Sequence, residues 1–408
     1  MLAPILLAAA LAAKAPPRPL TQAEAEAAVA SVLPEVAAIR GLAFKRAVPV
    51  RVVDDAGARK HVLARFRSTT PEAKIRADQR AYQILGLVPP GTDLLKTLLD
   101  VLEEQAGGFY DPPSKSFYLL DDMPHAMTRG LTAHEMTHAL EDQYYDIDRR
   151  LAAIEEDDDA SFALSAVAEG SASLVMAETM VRAARDGSLT ADDLTAMQES
   201  EAGQAKKLDA MPGVLRKQLL GPYILGALFL ARGEAATTES TFPKTDVDAA
   251  WAALPRSSEQ ILHPEKYWDP ALRDDPKPVT VPNPSRALGA GWKRAGSGIL
   301  GEITLGALVG APSPSAQDQD AMVTPSAWTN AASEGWGGDR WELWTKGRSG
   351  VVLLETVWDS ERDAAEFEAA LPRDRGDFHA RRSGTTVAIV AGEAGSAAAA
   401  VLTLMTGG

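Results

Sequence analysis

His134-Glu135-Met136-Thr137-His138 is the segment whose residue types and spacing are suited to chemistry. Residues i and i+4 of a helix lie on one face, a turn apart, so both imidazoles can reach a single ion. Glu135 is turned by about 100° from His134 around such a helix. That offset makes it a neighbour of the ion instead of a ligand, placed to take a proton from a polarised water and pass it to a leaving amine. A third ligand is available in Glu169, which lies in Ala166-Val167-Ala168-Glu169-Gly170-Ser171 on the next long predicted helix. A carboxylate in so small and apolar a stretch is expensive to bury unpaired, and a metal ion would be its charged partner. The alternative is a Glu on the exposed face of its helix. Two His, one carboxylate and a water make a catalytic zinc site, with one Zn2+ per chain.

Other signals are weaker. Asp142, a turn beyond His138, is either the outer acceptor of a ligand imidazole N–H or a solvated carboxylate. Tyr110 and Tyr267 either line a cleft or pack as ordinary aromatics. His61, His125 and His379 have no partner at ligand spacing and read as structural or surface residues. Gly296-Ser297-Gly298-Ile299-Leu300-Gly301 satisfies GxGxxG, yet no strand-like run precedes it, which argues against a dinucleotide site. No Gly-Lys dipeptide and no GxSxG occur, so P-loop and nucleophile-elbow chemistry are excluded. The acidic run Glu155–Asp159 reads as a solvated loop and helix cap, without the Gly and terminal Glu of an EF-hand calcium loop. Trp336, Trp341, Trp344 and Trp358 form either a core or a ligand platform.

The elements that must position these residues follow from periodicity. Helices are expected over 21–42, 58–68, 71–85, 128–144, 160–185, 189–209 and 213–232, with a short strand at 48–53 and a β-hairpin over 107–120. A Pro-, Asp- and Gly-rich stretch near 271–292 marks a linker. Beyond it strands are expected at 340–346, 350–357 and 385–391, and helices at 360–371 and 394–405. The fold class is therefore α+β, a mainly helical domain over 16–270 with a small sheet, followed by a small α+β domain over 293–408.

The 408 residues carry 41 Lys and Arg against 56 Asp and Glu, a formal charge of −15, with no Cys. Such a balance repels nucleic acid, and the missing Cys removes disulfides, thiolate metal sites and thiol nucleophiles. Residues 1–13, MLAPILLAAALAA, have no charged side chain and read as the apolar core of a cleaved signal peptide, though without a basic residue ahead of it. A secreted or periplasmic protein with no stable membrane insertion after cleavage is expected. A propeptide is conceivable within 16–70.

Together the HExxH helix and the following Glu resemble the gluzincin clan of zinc metallopeptidases, the thermolysin-like and peptidase MA-like proteins. Within it the chain is similar to a bacterial group with a Tyr-Asp-Pro hairpin, a HELTHALQDQ-like helix, an EG-containing helix and a STEQILHPEKY-like segment. Here these read Tyr110-Asp111-Pro112, His134–Gln143, Glu169-Gly170 and Ser257–Tyr267. The likeness covers roughly residues 75–270 and extends weakly to Gly335–Arg340. It implies zinc and peptide hydrolysis, and an edge strand near Phe117–Leu120 along which an extended substrate pairs.

Two residues compete to stabilise the oxyanion. Tyr223 resembles the tyrosine of the Tyr-x-x-Gly helix in related aminopeptidases, and His263 resembles thermolysin's histidine. The expected protein is thus a zinc peptidase acting on peptides or proteins, endopeptidase action being favoured over aminopeptidase action. The rival readings are a non-catalytic zinc-containing envelope binding protein and a zinc hydrolase of a non-peptide amide.

Overall fold

Thr21 and Gly41 bracket the first long helix, α1 (Gln22–Arg40). The Thr21 hydroxyl and the Glu24 carboxylate cap its N-terminus reciprocally, and Gly41 turns the chain out in the left-handed region. The computed structural model describes residues 19–69, 71–97, 107–123, 125–154, 157–232, 242–372 and 375–407. The expected signal segment, Met1–Ala13, and Glu155 and Glu156 of the acidic run lie outside the described residues.

The architecture is α+β with two sheets. The first half contains β1 (Val50–Val53), α2 (Asp55–Thr69), α3 (Glu72–Leu85), the hairpin β2 (Gly108–Asp111) and β3 (Ser116–Leu120), α4 (His125–Tyr145) and α5 (Asp158–Asp186). It continues through α6 (Ala191–Asp209), α7 (Gly213–Leu230), α8 (Lys244–Ala252) and α9 (Ser258–Leu262). The small sheet has the order β1-β3-β2, with β3 parallel to β1 and antiparallel to β2. Phe117–Leu120 is therefore in the central strand. The edge strand expected there is β2 instead, because the short Val50–Val53 run pairs with the far side of β3.

Helices α4, α5 and α7 stack side by side, with α1 behind α4. α5 has the length and composition of a membrane span, yet most of its apolar window is buried inside the protein. Small residues set its distance from α7. A Cβ on Gly226 would lie 2.0 Å from the carbonyl oxygen of Ala166, and one on Gly170 would lie 2.3 Å from the carbonyl carbon of Gly226. The two helices thus touch backbone to backbone.

The second sheet joins β4 (Lys293–Gly298), β5 (Trp336–Lys346), β6 (Ser349–Trp358), β7 (Phe378–Ser383) and β8 (Thr386–Gly392) in the order β4-β5-β6-β8-β7, all antiparallel. Its side chains alternate between two buried faces. Trp344, Val351, Leu353, Ala388 and Val390 pack on α12 (Ala398–Met405), together with Val281 and Leu288 of the Pro-rich stretch, which is packed and not a free tether. Trp341, Leu343, Val352, Leu354 and Ile389 pack on α11 (Glu361–Ala370) and on α3, which contributes Ala81, Tyr82 and Leu85. A helix from the first third of the chain therefore covers the C-terminal sheet. The buried tryptophans are core residues of this sheet rather than a ligand platform.

β4 runs into the GxGxxG segment, which the residue pattern did not lead us to expect, and α10 (Gly301–Leu308) follows it. The strand lacks β-branched residues and exists because β5 pairs with it. The helix end it leads to is already occupied: the Leu300 and Gly301 N–H groups both donate to the Asp339 carboxylate, at 2.9 Å each. The acidic run is not simply solvated either. Asp157 caps α5 through the Ala160 N–H, while Asp159 is buried and accepts the Ser258 N–H.

α7 is gripped from the C-terminal half. Arg216 Nη2 donates to the Ser313 carbonyl, Gln218 Nε2 to Thr304 Oγ1, and the fully buried Lys217 Nζ to the Trp328 carbonyl at 2.6 Å. Burial lowers the Lys217 pKa from 10.5 to about 8, with Glu302 opposing the shift.

Two outcomes follow from this packing. Gly226→Ala must push α5 and α7 apart, costing on the order of 3 kcal/mol, read as a lower melting temperature by calorimetry. The folded-state pKa of Lys217 lies below its unfolded value. Its stabilising contribution is therefore withheld below pH 8 and recovered as pH rises from about 8 towards 10.5. The melting temperature of the parent should gain on that of Lys217→Met between pH 7.5 and 10, and a constant difference would contradict the assignment.

Candidate metal and catalytic site

α4 carries His134 and His138 on the face turned to α5, while Ala133, Met136 and Leu140 anchor the opposite side in the core beneath the small sheet. The His134 and His138 Nε2 atoms are 3.1 Å apart. From α5, Glu169 Oε2 lies 3.1 Å from the first and 3.3 Å from the second. An ion bound tetrahedrally through ~2.05 Å bonds would set its ligand atoms about 3.3 Å apart, so this triangle has the size and the N, N, O donor set that zinc takes. His134 is buried, while His138 and Glu169 are partly exposed, which leaves one side of the triangle accessible.

The charges of the three groups complement one another. Burial alone would raise the Glu169 pKa, yet the imidazoles of His138 and His134 hold it far below the usual carboxylate range. Burial would likewise lower the His138 value, and Glu169 outweighs it, pushing the imidazole up to about 9.

Glu135 is buried, and its Oε2 accepts the Tyr110 N–H of β2 at 2.7 Å. Burial raises its carboxyl pKa, with His134 and His138 opposing. Tyr223, on α7, stacks on the His134 ring at a centroid distance of 5.8 Å. Its phenol is held well above its usual pKa, first by burial and then by the neighbouring Glu169 and Glu135 carboxylates. It is therefore a protonated donor beside the triangle. The Gly170–Gly226 contact brings it there, because Tyr223 lies one turn before Gly226 and Glu169 is next to Gly170.

His263 does not join this group. Its Nε2 is 3.0 Å from Glu302, which also accepts the Thr329 hydroxyl. The α9 segment that leads to it packs at the Asp159 end of α5, about 15 Å along the helix axis from Glu169. The rest of the Ser257–Tyr267 segment also serves packing. Ser257 caps α9, Ser258 Oγ accepts the Ile303 N–H, and Lys266 Nζ binds Glu259, Asp274 and Asp359. Those three carboxylates converge enough to hold a cation, but the Lys266 ammonium already sits among them. Tyr267 packs with Phe229 and Trp268.

Asp142 fits neither expectation. It is buried, and accepts the Tyr110 hydroxyl at 2.7 Å, Lys115 Nζ at 2.7 Å and the Ile147 N–H at 3.1 Å. His61 packs at a tilt against Tyr118 at 4.3 Å and Phe109 at 5.3 Å, on the outer face of the hairpin. Residue types alone did not single out the buried network behind the site. Arg40 donates to Glu141 and Asp248, each at 2.6 Å, and Ser171 Oγ donates to the same Glu141 oxygen at 2.7 Å. Glu141 is one turn past His138, and Ser171 is two residues past Glu169, so this network ties the two ligand helices to α1. The only signal was the adjacent acidic pair, Glu141-Asp142, shortly after His138.

Among known proteins, residues 287–402 match the family model of a domain of unknown function, DUF8575. That span holds the five-stranded sheet and α10 to α12, and none of the residues around His134. Comparison with curated proteins and with solved structures gives no match.

Proposed function

We propose that the protein is a zinc-dependent peptidase of gluzincin type, exported to the cell envelope or beyond, acting on peptides or proteins. One observation carries the reading: two imidazole nitrogens from α4 and one carboxylate oxygen from α5 meet within 3.1 to 3.3 Å, with Glu135 beside them. His134, His138 and Glu169 would hold the ion, which when bound supplies a Lewis acid that polarises a carbonyl and acidifies water.

The chain's own groups do the rest. Glu135 takes a proton from the attacking water at its carboxylate and delivers it to the leaving amine nitrogen as the C–N bond breaks. The Tyr223 hydroxyl donates to the carbonyl oxygen as negative charge develops there. His263, committed to Glu302, has no part in this scheme. Among the described residues the edge beside the site is that of β2, where the Tyr110 N–H is taken by Glu135 while the Gly108 N–H and the Gly108 and Tyr110 C=O groups turn away from β3. An extended substrate running past it suits endopeptidase action.

Glu135→Gln should keep one zinc per chain by elemental mass spectrometry and lose peptide cleavage by at least about a hundredfold. Equal cleavage by both proteins would remove Glu135 as the base. Zinc in both with cleavage by neither would favour a binding role or a non-peptide amide substrate. Glu169→Ala should weaken zinc binding by more than about a hundredfold, beyond what loss of an outer hydrogen bond costs, measured by competition with a chelator.

A further inference from the structure

Tyr110 meets α4 twice. Its backbone N–H donates to Glu135 Oε2 and its hydroxyl to Asp142 Oδ2, both at 2.7 Å. Glu135 and Asp142 are seven residues apart in the sequence, two turns along one face of the helix. The same hairpin delivers a third contact. Lys115 at its tip adopts φ 51° and reaches Asp142 Oδ2 at 2.7 Å. The tight turn between β2 and β3 sets this backbone, and the ion pair joins its tip to a buried carboxylate. The carboxylate is satisfied on the remaining side by the Ile147 N–H.

We infer that Tyr110 is a positioning residue for the general base: its phenol, moored on the Asp142–Lys115 pair, holds the edge strand so that its own N–H fixes one oxygen of Glu135. The inference rests on Glu135 being the base. An unmoored carboxylate next to the ion would be free to rotate its reactive oxygen away or to become a fourth ligand. One N–H fixed by the strand prevents both, and that N–H is only as well placed as the strand that carries it. The phenol supplies what a backbone hydrogen bond alone lacks, a second point of attachment two turns away. The phenol acts at Asp142, and its effect reaches Glu135 through the strand.

The test uses the zinc-loaded full chain with Tyr110→Phe, Asp142→Asn, Lys115→Gly and the Tyr110→Phe/Asp142→Asn double variant. Phe keeps the packing of the ring, and Gly accepts the left-handed turn at residue 115. Each single variant should lower kcat by between about tenfold and a hundredfold with KM and zinc content unchanged. The double variant should be no worse than the weaker single, because both break one linkage. Unchanged kcat, a loss carried by KM or zinc content, or multiplying losses in the double variant would overturn the inference. A second readout needs no turnover: amide hydrogen exchange over residues 107–120 should quicken in Tyr110→Phe, and unaltered exchange there would also overturn it. Should Asp142→Asn fail to fold, Tyr110→Phe, which removes a single oxygen, decides alone. A parent chain without any hydrolase activity would defeat the peptidase reading, while the exchange measurement would still decide whether the mooring exists.

Discussion

The backbone contact between α5 and α7 is the constraint on which the site depends. Glu169 and Tyr223 belong to different helices, and each is adjacent to, or one turn from, the glycine that allows those helices to touch. With side chains of ordinary size at the crossing, helix axes sit 8–10 Å apart. With glycine on both sides they close further, and the phenol comes within reach of the carboxylate. Small residues here are thus as much a part of the site as the ligands. The same crossing transmits order from the C-terminal half, which grips the first turns of α7 through Arg216, Lys217 and Gln218.

Behind the ligands lies an unusual density of buried charge. Glu141 and Asp142 follow the HExxH segment directly, one facing Arg40 and Ser171, the other facing Tyr110 and Lys115. Breaking one partner out of a buried pair leaves an uncompensated charge, a far larger penalty than the pair's own net contribution. Such pairs specify geometry more than they add stability. In this protein they fix the rotation of α4 about its axis, and that rotation decides where two imidazoles and Glu135 point.

Much of this was legible in the residues. The i, i+4 histidines with Glu169 on the next long helix are a local pattern followed by an apolar context, and the structure brings all three together. Tyr223 could be picked out because a Tyr-x-x-Gly helix is a recognisable resemblance, although the reason for the glycine emerges only from the crossing. His263 misled because a histidine before proline in a familiar segment does not reveal its partner, Glu302, which comes 39 residues later. Register in the small sheet was also illegible: nothing in Val50–Val53 says that it pairs with β3 and turns the expected edge into the centre. β4 was missed for a similar reason. Its Lys-Arg-Ala-Gly-Ser-Gly sequence has no strand propensity, and only pairing with β5 makes it extended.

The placement of α3 has a consequence for how the chain acquires its fold. Ala81, Tyr82 and Leu85 belong to a core that also takes residues from Val214 and Leu215 to Trp341 and Ile389, most of them made long afterwards on a ribosome. Until then the side of α3 that meets the sheet is uncovered, and the sheet, once formed, is only partly covered by α11 until α3 docks. Contacts so distant in sequence slow folding and lengthen the life of intermediates with exposed apolar surface. The helices that carry His134, His138 and Glu169, by contrast, are near neighbours in sequence and can assemble early. A fragment ending before β5 would hold every ligand of the site but would expose α3 as a sticky surface, which makes its solubility, rather than its chemistry, the first property to fail.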